Sequence, residues 1–121
     1  MLPPTLREKR HYLAIEILSK NRLQFKEVKE ALEKAIKEFL GYETAKAGMQ
    51  TIELKHSGEK YGYSAMNGIL SVNRKFIIKV KASLALLQEI KGNKASCRVK
   101  GVSGTIKKLR EKFLKNEGDK V

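Results

Sequence analysis

The stretch KGVSGTIKKLREKF, Lys100 to Phe113, holds the residues best suited to chemistry, and that chemistry is the binding of an anion. Gly101-Val-Ser-Gly104 matches the GxxG loop with which some domains clamp an RNA backbone. A strand ending in glycine, a Ser103 or Thr105 hydroxyl at the cap and a helix start would together leave backbone N–H groups unpaired. Those groups and the helix dipole favour a phosphate. Lys107, Lys108, Arg110 and Lys112 follow on the same predicted helix and strengthen the attraction. The plainer reading is a glycine turn with Ser103 as an ordinary N-cap, worth about 1 kcal/mol. The basic run favours the phosphate.

Bond-breaking chemistry has less to work with. Asp119, close to the C-terminal end, is the single Asp, and two-metal phosphoryl transfer needs several converging carboxylates. Glu27, Glu30, Glu33 and Glu38, four of the twelve Glu residues, fall on the polar face of the first predicted helix, where solvation explains them. His11 and His56 have no Cys or His partner at ligand spacing, so no zinc site is expected. No serine sits in a nucleophile elbow, and a Ser-His-Asp set would have to borrow Asp119. No catalytic residue and no metal ligand is therefore assigned. The sequence predicts a binder.

Charge says what is bound. There are 26 Lys and Arg against 13 Asp and Glu, a formal charge of +13. The excess is uneven: residues 72–121 carry 14 basic and 4 acidic side chains, residues 1–71 carry 12 and 9. Positive charge concentrated on a small domain is the footprint of a polyanion, and nucleic acid is the first candidate. The lone Cys97 cannot close a disulfide within the chain, which fits a reduced, cytoplasmic protein. No apolar run approaches the ~18 residues of a membrane span, and no signal-peptide core is expected at Met1.

The elements that must position these groups follow from periodicity. Residues 1–10 contain both prolines and read as an extended basic arm with Arg7, Lys9 and Arg10. Residues 11–116 form one domain and 117–121 a tail. Leu13, Ile15 and Ile17 alternate in a strand over 11–18. Phe25, Val28, Ala31, Leu32, Ala35, Ile36, Phe39 and Leu40 mark the apolar stripe of a helix that stops at Gly41. Strands are expected at 49–56 and 67–73, separated by a turn-rich loop, SGEKYGYSAM. Within that loop KYGY, Lys60 to Tyr63, faintly resembles a base-stacking aromatic motif, but its residue order is wrong and a turn with surface tyrosines explains it better. Asn73 can cap a second helix over Arg74–Ile90, with Ile77, Val80, Leu84 and Leu87 inward. Ala95, Cys97 and Val99 then alternate with Ser96, Arg98 and Lys100, a half-buried strand with one basic face. A last helix spans about Gly104–Asn116. The order predicts an α+β, ferredoxin-like (RRM-like) sandwich, β-α-β-β-α-β, with an extra C-terminal helix.

Several segments taken together resemble one known family. LPPTLREKRHYLAIEIL, ETAKAG, GILSVNRK followed by ASLALL, and RVKGVSGTIKKLREKFL are similar, in this order, to the archaeal ribonuclease P protein component 2 family. Residues 49–66 fit its pattern poorly. The resemblance implies an RNA-binding subunit of an RNA-based endonuclease that removes the 5′ leader from precursor tRNA. It implies that the RNA holds the catalytic Mg²⁺ and that the protein binds no cofactor of its own. The implied partners are the ribonuclease P RNA, protein component 3, precursor tRNA in the assembled particle, and a second copy of each protein in a heterotetramer. Arg74 and Lys75 join Arg7, Lys9, Arg10, Arg98, Lys100, Gly101, Ser103, Gly104, Thr105, Lys107, Lys108, Arg110 and Lys112 as the positions expected to meet RNA. A ribosomal or other structural RNA-binding protein, or a ferredoxin-like regulatory domain, would share the charge or the fold.

Overall fold

The computed structural model describes residues 9–113. Arg7, the rest of the arm to residue 8, the end of the last predicted helix and the tail lie outside them.

Five antiparallel strands form one sheet in the order β2-β3-β1-β5-β4. They are β1 (Arg10–Ser19), β2 (Gln50–Lys60), β3 (Tyr63–Asn73), β4 (Glu89–Ile90) and β5 (Asn93–Ser103). The helices are α1 (Phe25–Leu40), a single turn α2 (Thr44–Ala47), α3 (Ile77–Ala85) and α4 (Ile106–Phe113). Without the two-residue β4, this is the predicted ferredoxin-like order with a C-terminal helix added.

Side-chain alternation along β1 divides the core in two. Leu13, Ile15 and Ile17 face Val28, Leu32 and Ile36 of α1 and Val80 and Leu84 of α3 in the main core. Tyr12, Ala14, Glu16 and Leu18 point to the opposite face. There α4 lays Ile106, Leu109 and Phe113 over Ala14 and Ile69, a second, smaller core. It covers only one end of that face. The α1 stripe holds at Val28, Leu32, Ile36 and Leu40, while Phe25 and Phe39, expected on the same stripe, are exposed. Helix α1 starts cleanly because the Glu27 carboxylate accepts the Gln24 N–H at 3.0 Å.

Three expectations are corrected. The predicted loop between β2 and β3 is a continuous hairpin: Lys60 pairs with Tyr63 across a two-residue turn, Tyr61-Gly62. Both turn residues have positive φ, 56° and 79°, which matches the twist of the flanking strands. Ser57-Gly58 is absorbed as a bulge, so these turn-forming residues punctuate the hairpin without opening it. Next, the helix expected over 74–90 is shorter. Arg74–Phe76 form a 3₁₀ turn, capped by the Asn73 side chain accepting the Lys75 N–H at 3.0 Å, and α3 stops at Ala85. A second two-residue turn, Lys91-Gly92 with φ of 52° and 80°, pulls Glu89–Ile90 into a strand against β5. Last, β5 runs on to Ser103 and therefore contains Gly101.

Candidate nucleic-acid interface

The start of β1 and the ends of β3 and β5 meet at one end of the sheet, because Arg10 pairs with Asn73 and Tyr12 with Ser103. The predicted basic positions separated furthest in sequence converge here. The Arg74 N–H donates to the Lys9 carbonyl at 2.9 Å. Lys9, Arg74 and Lys75 are all exposed. The Asn73 amide donates to the Lys46 carbonyl at 3.3 Å, which adds exposed Lys46 of α2 to the same end. Lys107 and Lys108, on the first turn of α4, complete it. Arg10 is engaged within the protein. Its guanidinium turns inward to the Ser71 hydroxyl (2.6 Å), the Ser71 carbonyl (3.0 Å) and the Gly48 carbonyl, so it ties β1 to β3 and to the start of β2.

The glycine loop divides in two. Gly101 belongs to the sheet, where a Cβ would lie 2.4 Å from the Phe113 ring. There it lets α4 approach closely, and it lies in the strand rather than in the loop before the helix. Gly104 is open: a Cβ there would meet nothing nearer than the His11 imidazole at 3.8 Å. The Thr105 hydroxyl, rather than that of Ser103, caps the helix, accepting the Lys108 N–H at 3.2 Å. Ser103 accepts the Thr105 N–H at 3.3 Å. Two N–H groups are thus used locally. Those of Ile106 and Lys107 have no partner among the described residues, so the helix start retains two donors and a row of cations beside them.

Arg110 also works within the protein. Its guanidinium makes a forked ion pair with Glu53 of β2, at 2.9 and 3.2 Å, clamping α4 across the sheet. Arg110 holds the Glu53 carboxyl below the usual range, against burial that pushes the other way. Lys112 is exposed, and Lys100, half-buried, occupies the bulge where β5 shifts register against β1.

Beyond α4 the same sheet face is open, and the sequence reading anticipated only its β5 edge. Glu16 sits in the middle strand with its side chain 6% exposed. Lys60 reaches it from β2 at 3.0 Å and Arg98 from β5 at 2.9 Å. Burial pushes the Glu16 carboxyl up, but these two hydrogen-bonded cations prevail and hold it below the ordinary carboxylate range. Arg98 donates through Nε alone. Lys20 places its ammonium 5.8 Å from the Tyr63 ring centre on the same face. Among the described residues no three His, Cys, Asp or Glu side chains cluster as metal ligands, and no helix is long and apolar enough to cross a membrane.

A basic end and a basic face on this fold fit many RNA-binding proteins; the comparison with known sequences narrows the choice. The profile of the Rpp14/Pop5 family matches residues 11–114, nearly the whole chain. The chain belongs to that family. Ribonuclease P protein component 2 of Pyrococcus furiosus is 42% identical over 118 residues, which cover 97% of this chain and 92% of the relative. Its namesake in Thermococcus kodakarensis is 36% identical over 117 residues, with the same coverage of 97% and 92%. The protein of that name in Methanocaldococcus jannaschii is 40% identical over 114 residues, 93% of this chain and 78% of the relative. Lys46 at the basic end and Lys20, Lys55 and Lys94 on the open face of this Rpp14/Pop5 member were not singled out by the sequence, and Lys60 only as part of the KYGY turn. Lys20 continues the outward alternation of β1, and Lys94 that of Ser96 and Arg98, a signal of period two that was available. Lys55 and Lys60 required the hairpin register.

Proposed function

We propose that this chain is the RNA-binding protein subunit of a ribonuclease P, assisting a catalytic RNA in removing the 5′ leader from precursor tRNA. The observation that carries the reading is the family membership over nearly the whole chain, joined to an end of the sheet where exposed lysines and an arginine gather. Lys9, Lys46, Arg74, Lys75, Lys107 and Lys108 neutralise RNA phosphates there, releasing counterions and lowering the Mg²⁺ needed to fold the RNA and hold the substrate. The Ser103-Gly104-Thr105 loop sets one phosphate against the free N–H groups of the α4 start.

In this reading the reaction's metal ions belong to the RNA and the protein binds no cofactor. Its protein partner is component 3, the particle can hold two copies of each, and it works in the cytoplasm. The test is reconstitution. The pure protein is expected to leave precursor tRNA intact; adding the cognate RNA and component 3 should give 5′-leader cleavage at lower Mg²⁺ than the RNA alone requires. Metal-dependent cleavage by the RNA-free protein would overturn this division of labour.

A further inference from the structure

The open part of the sheet face, beyond α4, is used by none of these contacts. Strand register fixes what lies on it. Lys55, Asn67, Glu16 and Arg98 form one row across β2, β3, β1 and β5. Ala65, Leu18 and Ser96 form the next row. Lys60 and Tyr63 form a third, with Lys20 against the Tyr63 ring and Lys94 held beside Lys20 by a 2.8 Å backbone bond from the Lys20 N–H. The face thus has an apolar middle of half-buried Tyr63 and Leu18, with Ala65 buried beneath, and cations on both flanks. Strand spacing puts the β2 and β5 cations about 14 Å apart.

We propose that this face is a second RNA site, taking an unpaired segment of RNA. The inference rests on the RNA-binding reading above and deepens it. Cationic rims meet phosphates, and an aromatic and aliphatic floor meets bases that are free to unstack. A duplex would present only its backbone and shallow minor groove, leaving Tyr63 and Leu18 without a contact. The width suits a single strand rather than a duplex.

Glu16 is the part that a merely basic surface would not contain. A buried carboxylate at the centre of a cationic face lowers its net charge. What it gains is position: Lys60 and Arg98 are drawn to fixed places. Arg98 keeps both terminal guanidinium nitrogens without a partner among the described residues, its side chain 64% exposed. Glu16 is therefore a positioning residue. Plain electrostatics and preorganisation then predict opposite signs for Glu16→Gln, which makes the face more positive but releases its cations.

The experiment measures binding of a 12-nucleotide unpaired RNA and of an RNA duplex of equal length, by anisotropy over a salt series. Lys20→Ala with Lys94→Ala removes two exposed cations at little risk to the fold. It should weaken single-strand binding about tenfold and lower the salt slope by about 1.4 units, at about 0.7 per neutralised phosphate. Duplex binding should stay within twofold. Tyr63→Leu keeps the apolar bulk, and its loss of stacking should cost about tenfold on the single strand alone. Glu16→Gln, with the fold checked by circular dichroism, should weaken single-strand binding. Wild-type affinity in the lysine double variant, or equal losses on both probes, overturns the second site while leaving the subunit assignment standing. A wild-type protein that binds neither probe removes the RNA reading itself.

Discussion

Two glycines three positions apart should respond in opposite directions to the same substitution. In Gly101→Ala the new Cβ would lie 2.4 Å from the Phe113 ring, against the ~3.5–4.0 Å of carbon contact, so the ring must retreat by more than 1 Å. Phe113 ends the stripe that seats α4, and Leu109, one turn earlier, is 0% exposed. Overpacking of this kind costs about 1–3 kcal/mol, and full loss of the Leu109 burial would reach about the same figure. Neither glycine has a positive φ, so each alanine also gains about 0.4–1 kcal/mol from a stiffer unfolded chain. The net expectation is about 1–2 kcal/mol of destabilisation for Gly101→Ala, a fall in Tm of about 3–10 °C for a domain of this size. Gly104→Ala meets nothing within 3.8 Å and should be neutral or slightly stabilising. Thermal unfolding by circular dichroism measures both, and RNA binding under folding conditions supplies the second readout. Because α4 carries Lys107 and Lys108, its displacement should weaken RNA binding in Gly101→Ala alone. A Gly101→Ala protein as stable as wild type would refute the packing role of Gly101; one that is destabilised but binds RNA normally would detach α4 from the interface.

Lys107→Ala with Lys108→Ala should leave Tm nearly unchanged, and a salt titration should show a slope reduced by about one unit for each phosphate no longer neutralised. Acid should destabilise the fold through Glu16 and Glu53, both held below the ordinary carboxylate pKa by hydrogen-bonded cations. A depressed native pKa contributes stability above the unfolded value near 4.5 and loses it as pH falls through the native value. Tm measured from pH 6 to pH 3 should therefore drop below about pH 4.5, and less steeply in Glu16→Gln. Cys97, buried, has its thiol pushed up to about 12, so a disulfide reagent at pH 8 should react only when the protein unfolds.

What could be read from the sequence and what could not separate along one physical line. Period-two and period-3.6 patterns report which side of an element is buried, and they placed β1, α1, β3 and the basic face of β5. They failed where a two-residue turn decides the outcome. Tyr61-Gly62 and Lys91-Gly92 are single steps of backbone with positive φ, and the residues around them carry turn-forming composition. SGEKYGY therefore read as an open loop although all but its Tyr61-Gly62 turn is strand, and Glu89–Ile90 read as the end of a helix. The error propagated to the site. With β2 cut short at residue 56, Lys60 could not be set beside Glu16, 44 positions away, and the central triad stayed hidden. Arg10 and Arg110 show a different limit. Charge identifies a group that can meet a phosphate, but only the fold shows that Ser71 and Glu53 already hold these two.

The same division explains how one small domain carries so much positive charge and remains folded. The basic groups that are structurally committed are each given an acid or a carbonyl: Arg110 has Glu53, Lys79 has Glu43 at 2.8 Å, Lys60 and Arg98 share Glu16, and Arg10 has Gly48. The more exposed ion pairs, Arg110–Glu53 and Lys79–Glu43, add at most about 1 kcal/mol each, so they do not supply the stability of the fold. Their effect is directional. Lys9, Arg74, Lys75, Lys107 and Lys108 have no acid pairing them among the described residues, and all of them lie where β1, β3 and β5 meet or on the first turn of α4. Self-repulsion among them is a standing cost in the free protein, and a polyanion removes it. The same cations that weaken the isolated fold are thus the ones that RNA phosphates would stabilise, so bound RNA should raise Tm, and by less at high salt.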